Sequence, residues 1–443
     1  MRSPLAAVLL LVLVTGMPVA PQPPSAAGVE RTTAEGQVRA RPDAGADADD
    51  AFTAPASALH HHDTTHFRLH WTSETGDVAT EPFIKTASSV LEHVWQITVV
   101  DLGWPAPLPD AGLGGNDLID VYFVDLDEDA FGYAAADDVA VCDTCGQVHG
   151  YLVLDNDYAG YPPDPLGALQ ATAAHEFMHL VQFGMAYSGE GWAYEATAVW
   201  VEGVSSPYAD ARTQYLEDFA ALPDLPLSDF RLSSGGFDRS YGAYVWNLWL
   251  ADRYGPDLIR DAWVAAAADS HVLAGYGTAL LDRGGLLEAE LVAFTAATAG
   301  WDRGGFPTEP DPYPPLVRQG VVSSGTVATV TVDHASAYVV DVEPGAEMTV
   351  TVRGPKFVAG GIGLVAVAGN QVLSVVDDTL FDGQATVTLQ GVGTATRVTL
   401  VIVNADVSLA VPTPPGSDRP RYLNDGVEYV VGIDVDPGPL VKR

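Results

Sequence analysis

His175 and His179 stand four residues apart, with Glu176 beside the first, in the stretch Ala173-Ala-His-Glu-Phe-Met-His-Leu-Val-Gln-Phe183. In an α-helix that spacing sets both imidazoles on one face, about a turn apart, where they can hold one zinc ion while the neighbouring carboxylate activates water. Zinc-assisted hydrolysis is the chemistry these residue types suit. The pattern leaves two positions free and arises by chance in unrelated chains, so its surroundings matter. Residues 166–183 contain no proline and many alanines, and Ala173, Phe177, Leu180 and Val181 form an apolar arc facing away from the histidines. A buried helix carrying His-Glu-His on one face has to satisfy those groups, and a metal does so directly. The other reading is a pair of core histidines bonded to carbonyls.

A third protein ligand has to come from elsewhere in the chain. After Gly184 and the loop 187–191, residues 192–204 read as a second helix with Glu195 and Glu202 in otherwise apolar company. Seven residues apart, these two share a face but lie about 10 Å apart along the axis, so only one of them sits on the ion. Glu190, between Gly189 and Gly191, belongs to a flexible loop, a poor support for a rigid site. Glu195, in the first turn of the helix, ranks first. Glu202, two turns deeper, is placed to orient a histidine or to pair with Arg212.

The metzincin extension of this motif is absent, because Gln182 and Met185 occupy the positions of its glycine and third histidine. The stretch His-Glu-Phe-Met-His-Leu-Val-Gln-Phe, followed by Trp192-x-x-Glu195-Ala-Thr-Ala-x-Trp200-x-Glu202, resembles a group of secreted bacterial metalloproteases of gluzincin type. The resemblance continues through Tyr241-Gly-Ala-Tyr-Val-Trp246 and Arg253-Tyr-Gly255 to about residue 300. It implies that His175, His179 and Glu195 bind zinc, that Glu176 is the general base, and that the substrate is a protein or peptide. Thermolysin-like and aminopeptidase-type gluzincins have a slightly longer spacer before the glutamate than the sixteen positions from His179 to Glu195, so their specificities do not carry over. Related enzymes often place an oxyanion donor where Tyr241 opens a helix, which makes Tyr241 a candidate for that role. The other reading has Tyr241 and Tyr244 simply packing with Trp246 and Trp249.

The rest of the chain must deliver and hold these groups. Residues 4–14 are an apolar run after Arg2, too short to span a bilayer, and Ser25-Ala-Ala27 gives a small-x-small cleavage pattern; 1–27 reads as a secretory signal peptide. No later segment is long and apolar enough to anchor the chain, and the C-terminal residues show no sorting signal, so the expectation is release from the cell. The balance of 58 Asp and Glu against 21 Lys and Arg gives a net charge of −37, spread along the chain, which argues against nucleic acid as a partner. It is compatible with extracellular solubility, a salty habitat or calcium binding.

With 443 residues the chain should hold two or three domains. Residues 28–58, poor in large apolar side chains, read as a disordered leader or short pro-segment. His60, His61 and His62, with His66 and His70 close behind, read as a solvated junction ahead of a first strand at 66–71 rather than as a metal cluster. A helix is expected over 81–100 and a strand over 118–126. Asp125-Leu-Asp-Glu-Asp129 alternates carboxylates like the opening of a calcium loop, but Ala130 replaces the glycine an EF-hand needs; calcium and a solvated turn both remain open. Cys142 and Cys145, the sole cysteines, favour one disulfide over a zinc site lacking two ligands. A strand at 150–156 is expected to be the edge strand that holds substrate backbone.

Two further helices, 241–267 and 285–298, complete the expected fold class. This is α+β: a zincin-like metallopeptidase domain over 59–306 with a mixed sheet, the metal helix and a helical lower lobe. A proline-rich linker, 307–317, leads to a β-sandwich over 318–443, whose strands are read at 327–332, 337–342, 348–352, 371–376, 385–389, 397–403 and 427–433. The linker marks the sandwich as separable. The function expected is a secreted zinc endopeptidase. The competing reading is a catalytically silent surface or matrix-binding protein with a structural metal, and Glu176 speaks against it because a structural site has no use for that carboxylate. An aminopeptidase would need acidic residues gripping a free amine, which the sequence does not identify.

Overall fold

A computed structural model describes residues 41, 52, 58–74, 76–126, 130–142, 146–161, 164–187, 190–205, 209–230, 239–267, 271–304, 306, 313–380, 382–409 and 422–436. The expected signal peptide, Cys145 with its disulfide, and the acidic residues 127–129 fall outside these. The architecture is mixed α+β, with several sheets and helices.

The first sheet comprises β1 (Leu59–Asp63), β2 (Phe67–Thr72), β3 (Ile119–Val124), β4 (Gly132–Cys142) and β5 (Gln147–Asp155), in the order β1-β2-β3-β5-β4. β2, β3 and β5 run parallel, while β1 and β4 are antiparallel to their neighbours. His60, His61 and His62 are exposed but form strand β1, ahead of the strand expected to be first. The strand expected at the edge, 150–156, lies in β5 and is internal. The edge is β4, which the sequence did not suggest because Gly132-Tyr-Ala-Ala-Ala136 contains no β-branched residue.

Strand alternation splits the sheet into two faces. Leu69, Val121, Phe123, Ala134, Leu152 and Leu154 join the main core, which also takes in α1 (Glu81–Trp95) and α2 (Pro165–Ala186). Tyr122, Tyr133, Tyr151 and Val153 form a second cluster on the opposite face. Close approach of α2 depends on Gly150, where a Cβ would lie 2.2 Å from the Ala135 oxygen and 3.2 Å from Leu180. α2 starts where the local chemistry directs it: Asp164 accepts from Gly167 N at 2.9 Å, and Pro165 occupies the first turn, where no N–H is needed.

The chain then forms α3 (Gly191–Ser205), α4 (Leu216–Ala221), α5 (Arg239–Gly242), α6 (Tyr244–Tyr254), α7 (Asp257–Ala266), α8 (Val272–Leu281) and α9 (Leu287–Thr298). The single helix expected over 241–267 is broken at Gly255, whose φ of 92° is followed by Pro256, and α8 was not foreseen.

Two stacked sheets follow. Their strands are β6 (Val321–Val322), β7 (Val327–Val332), β8 (Ser336–Val342), β9 (Glu347–Arg353), β10 (Gly360–Ala368), β11 (Gln371–Thr379), β12 (Gln384–Gln390), β13 (Arg397–Asn404) and β14 (Val427–Asp436). The orders are β11-β10-β13-β8-β6 and β12-β9-β14-β7, and Val350, Val352, Leu364, Leu400 and Tyr429 fill the core between them. β10 escaped the sequence reading because Gly360-Gly-Ile-Gly363 looks like a turn. Its glycines answer to packing instead: a Cβ on Gly361 would meet Val292 at 2.3 Å, and one on Gly363 would meet Ala296 at 2.7 Å. α9 thus lies directly on β10.

Val365, Val367, Val401 and Val403 of the stacked sheets belong to the same buried cluster as the helices. Arg397 pairs with Asp302 at 2.8 Å, and backbone bonds join Leu227 N to Ala335 O (2.8 Å) and Ala337 N to Pro223 O (3.0 Å). A chain ending at Arg318 would strip this cover from α9. It should aggregate or lose a cooperative melting transition, checked by light scattering and differential scanning calorimetry against the full chain.

Candidate metal centre

α2 and α3 bring three side chains together. His175, His179 and Glu195, all buried, offer ligand atoms within 4.8 Å of one another. The two imidazoles are fixed from behind: His175 Nδ1 donates to Glu202 Oε1 at 2.7 Å, and His179 Nδ1 to Gln182 Oε1 at 2.8 Å. Such outer bonds set the tautomer and leave each Nε2 directed at Glu195. His175 Nε2 is 3.1 Å from Glu195 Oε2, whereas His179 Nε2 is 3.8 Å from Oε1.

The 3.8 Å separation is too long for a hydrogen bond, and both atoms are buried without a hydrogen-bond partner among the described residues. Two orphaned polar atoms facing each other in a core are costly unless a further group bonds both. Donors around a four-coordinate ion with bonds of about 2 Å lie roughly 3.4 Å apart, between the two separations found here. Two imidazoles and a carboxylate suit a divalent metal ion, and the geometry accepts one.

The site's electrostatics fit the same reading. Burial disfavours a charged His175, yet hydrogen bonds to Glu195 and Glu202 and the charge of Glu176 outweigh it and push its pKa up to about 10. Burial pushes His179 down to about 4. For Glu195 burial acts upward but loses to His179, His175 and the Tyr241 hydroxyl, which hold its carboxyl below the usual glutamate value. Without an ion, a proton on His175 balances the carboxylates, and a cation would take over that role.

Glu176 is not among the three donors. Its Oε2 accepts a hydrogen bond from Ala134 N of the edge strand at 2.9 Å, and like His179 it is buried to all but 6 % of its surface. Tyr241, at the start of the Tyr-Gly-Ala-Tyr segment, stacks on His175 with ring centroids 5.7 Å apart. Glu176 and Tyr241 thus lie beside His175, next to the three grouped side chains. Glu202, ranked behind Glu195, holds His175 from the far side.

Glu190 does not sit in a loose loop as expected. It is buried, its Oε2 accepts from Val272 N at 2.7 Å, and its Oε1 accepts from Tyr422 Oη at 3.1 Å, so it braces the entry to α3. α3 is braced again by Asn247 Nδ2 donating to Ala196 O at 3.1 Å and Trp263 Nε1 donating to Thr197 Oγ1 at 3.0 Å. His60, His61 and His62 take no part in the site.

Gln182 is the participant that sequence reading missed. It lies three residues after His179, the spacing at which helix neighbours meet, and its amide donates to Tyr194 O at 3.2 Å, which orients the oxygen that His179 needs. Gln182→Leu should weaken metal binding roughly tenfold while leaving the fold intact. Competition with a chromophoric chelator, alongside circular dichroism, measures both.

No helix among the described residues is long and apolar enough to cross a membrane. No protein-family model matches the chain, and no curated protein matches it. Among solved structures, the pre-peptidase C-terminal domain of a collagenase from Bacillus anthracis covers 27 % of this chain and 97 % of its own, at 6 % identity and a TM-score of 0.18. A β-glucosidase from Paenibacillus barengoltzii covers 25 % of this chain and 11 % of its own, at 17 % identity and a TM-score of 0.12. Likenesses this weak assign neither family nor fold.

Proposed function

We propose that the chain is a secreted zinc endopeptidase of gluzincin type, with a zincin-like catalytic domain followed by a β-sandwich. The observation that carries this reading is the position of Glu176: a buried carboxylate beside the donor set, outside it, and hydrogen-bonded to the backbone of an edge strand. A structural metal site has no need of such a group. Export rests on the apolar run of residues 4–14 and the small residues up to Ala27.

His175, His179 and Glu195 would hold the zinc, which supplies Lewis acidity for activating water and polarising a carbonyl. Glu176 takes a proton from the attacking water and returns it to the leaving amine, two steps that one carboxylate serves in turn. Among the described residues β4 pairs with β5 alone, and its other edge, where Ala134 N meets Glu176, is assigned to an extended peptide running alongside. Peptide pairing there would bring a scissile bond beside Glu176. The Tyr241 hydroxyl, on the ring that stacks against His175, is assigned the task of donating to the oxyanion. Calcium, raised by the acidic run ending at residue 129, has no described site to support it.

Casein hydrolysis by the purified full chain, measured before chelation, after chelation and after zinc is restored, tests the proposal. Activity should vanish and return with the metal. A protein that binds zinc stoichiometrically and cleaves neither casein nor denatured protein would be the silent matrix-binding alternative.

A further inference from the structure

The sheet face turned away from α2 carries a second polar centre that the metal chemistry does not use. Strand alternation places His70 of β2, Asp120 of β3, Asp137 of β4, and His149 and Tyr151 of β5 on that face. Into it reaches Arg41, only 7 % exposed, from a part of the chain that the sequence marks as a leader. Its Nε and Nη2 donate to the two oxygens of Asp137, both at 2.8 Å, in a forked pair. Nη2 also donates to Asp110 at 2.9 Å, and Nη1 to Asp120. The guanidinium lies over the Tyr151 ring, 5.1 Å from its centroid.

The acceptors are themselves built in. His70 Nε2 donates to Asp120 at 2.6 Å, and His149 Nδ1 to Asp137 at 2.8 Å; Asp110, Asp120 and Asp137 are 4 %, 0 % and 6 % exposed. Fork geometry toward a carboxylate, an aromatic face beneath and second carboxylates at the sides are what a planar guanidinium requires and an ammonium does not. Phe52 adds an apolar contact on the same face, its ring 6.2 Å from that of Tyr122.

We propose that these residues form a guanidinium-binding site on the outer face of the sheet whose resident ligand is Arg41. The site stands on the opposite side of the sheet from α2 and does not depend on the metal reading. Three buried carboxylates around one cation leave negative charge in surplus. Burial and the neighbouring Asp120 push the Asp110 carboxyl up to about 6. Removing the guanidinium would leave the carboxylates facing one another with nothing between them.

The test uses full-length Arg41→Ala. Its melting midpoint should fall by roughly 10 °C, and methylguanidinium chloride at about 50 mM should restore part of the loss, where sodium chloride at the same strength restores none. Arg41→Lys should recover less than half, because a point charge cannot make the fork. A midpoint within roughly 2 °C of the parent, or equal recovery with sodium chloride, would overturn the proposal. Should Arg41→Ala yield no soluble protein, two variants of the parent decide it. Asp137→Asn should lower the midpoint, and Asp110→Asn, which sheds surplus charge but keeps an acceptor oxygen, should not; equal losses in both would sink the idea.

Discussion

Glu195→Ala leaves the purified protein almost free of zinc, with affinity lowered by about a hundredfold or more. The size of the effect follows from the lack of a substitute donor. Glu202 is 2.7 Å from His175 Nδ1, on the side of the ring away from Glu195, and Glu190 is bound to Val272 N and Tyr422. Neither reaches the gap between the two Nε2 atoms without giving up its own buried partner. The loss also leaves His175 and His179 facing an empty space in a core, so the metal-free fold should soften around α2 and α3. Zinc content by mass spectrometry after dialysis, with hydrogen exchange over both helices, measures the two effects. A Glu195→Ala variant that keeps its zinc while Glu202→Ala loses it would mean the third ligand is Glu202.

Glu176→Gln separates metal from chemistry. The amide keeps an oxygen to accept from Ala134 N, so the strand and helix stay as they are and zinc content should match the parent. What disappears is a group able to take a proton from water, and kcat on casein or a quenched fluorescent peptide should fall roughly a thousandfold. KM should change little, because binding along β4 uses backbone. Full activity in a zinc-loaded Glu176→Gln protein would remove Glu176 from the mechanism and return the reading to a structural site.

The parts legible in the sequence were those set by local rules. The proline-free, alanine-rich run 166–183 reads as helix, the four-residue spacing of His175 and His179 puts both rings on one face, and the alternating Val and Thr of β7, β9 and β12 declare strands. Glu195 could be ranked above Glu202 because the two differ in depth along one helix. What stayed hidden depends on contacts distant in sequence. β4 is a strand because β5 pairs with it, despite its alanines. β10 needs its glycines because α9 presses on it. Gln182 looks like any polar helix residue until Tyr194 O is found behind it. Arg41 sits in a composition that reads as disordered, and its partners lie 69 to 96 positions away.

The central claim is that one zinc ion sits between α2 and α3, and anomalous diffraction tests it most directly. Data from crystals of the full-length protein, collected on both sides of the zinc absorption edge, should show a single strong peak bonded at about 2 Å to Nε2 of His175, Nε2 of His179 and the carboxylate of Glu195, with Glu176 outside bonding distance. No peak there in zinc-supplemented crystals, or a peak ligated by Glu176 or Glu202 in place of Glu195, would contradict the account.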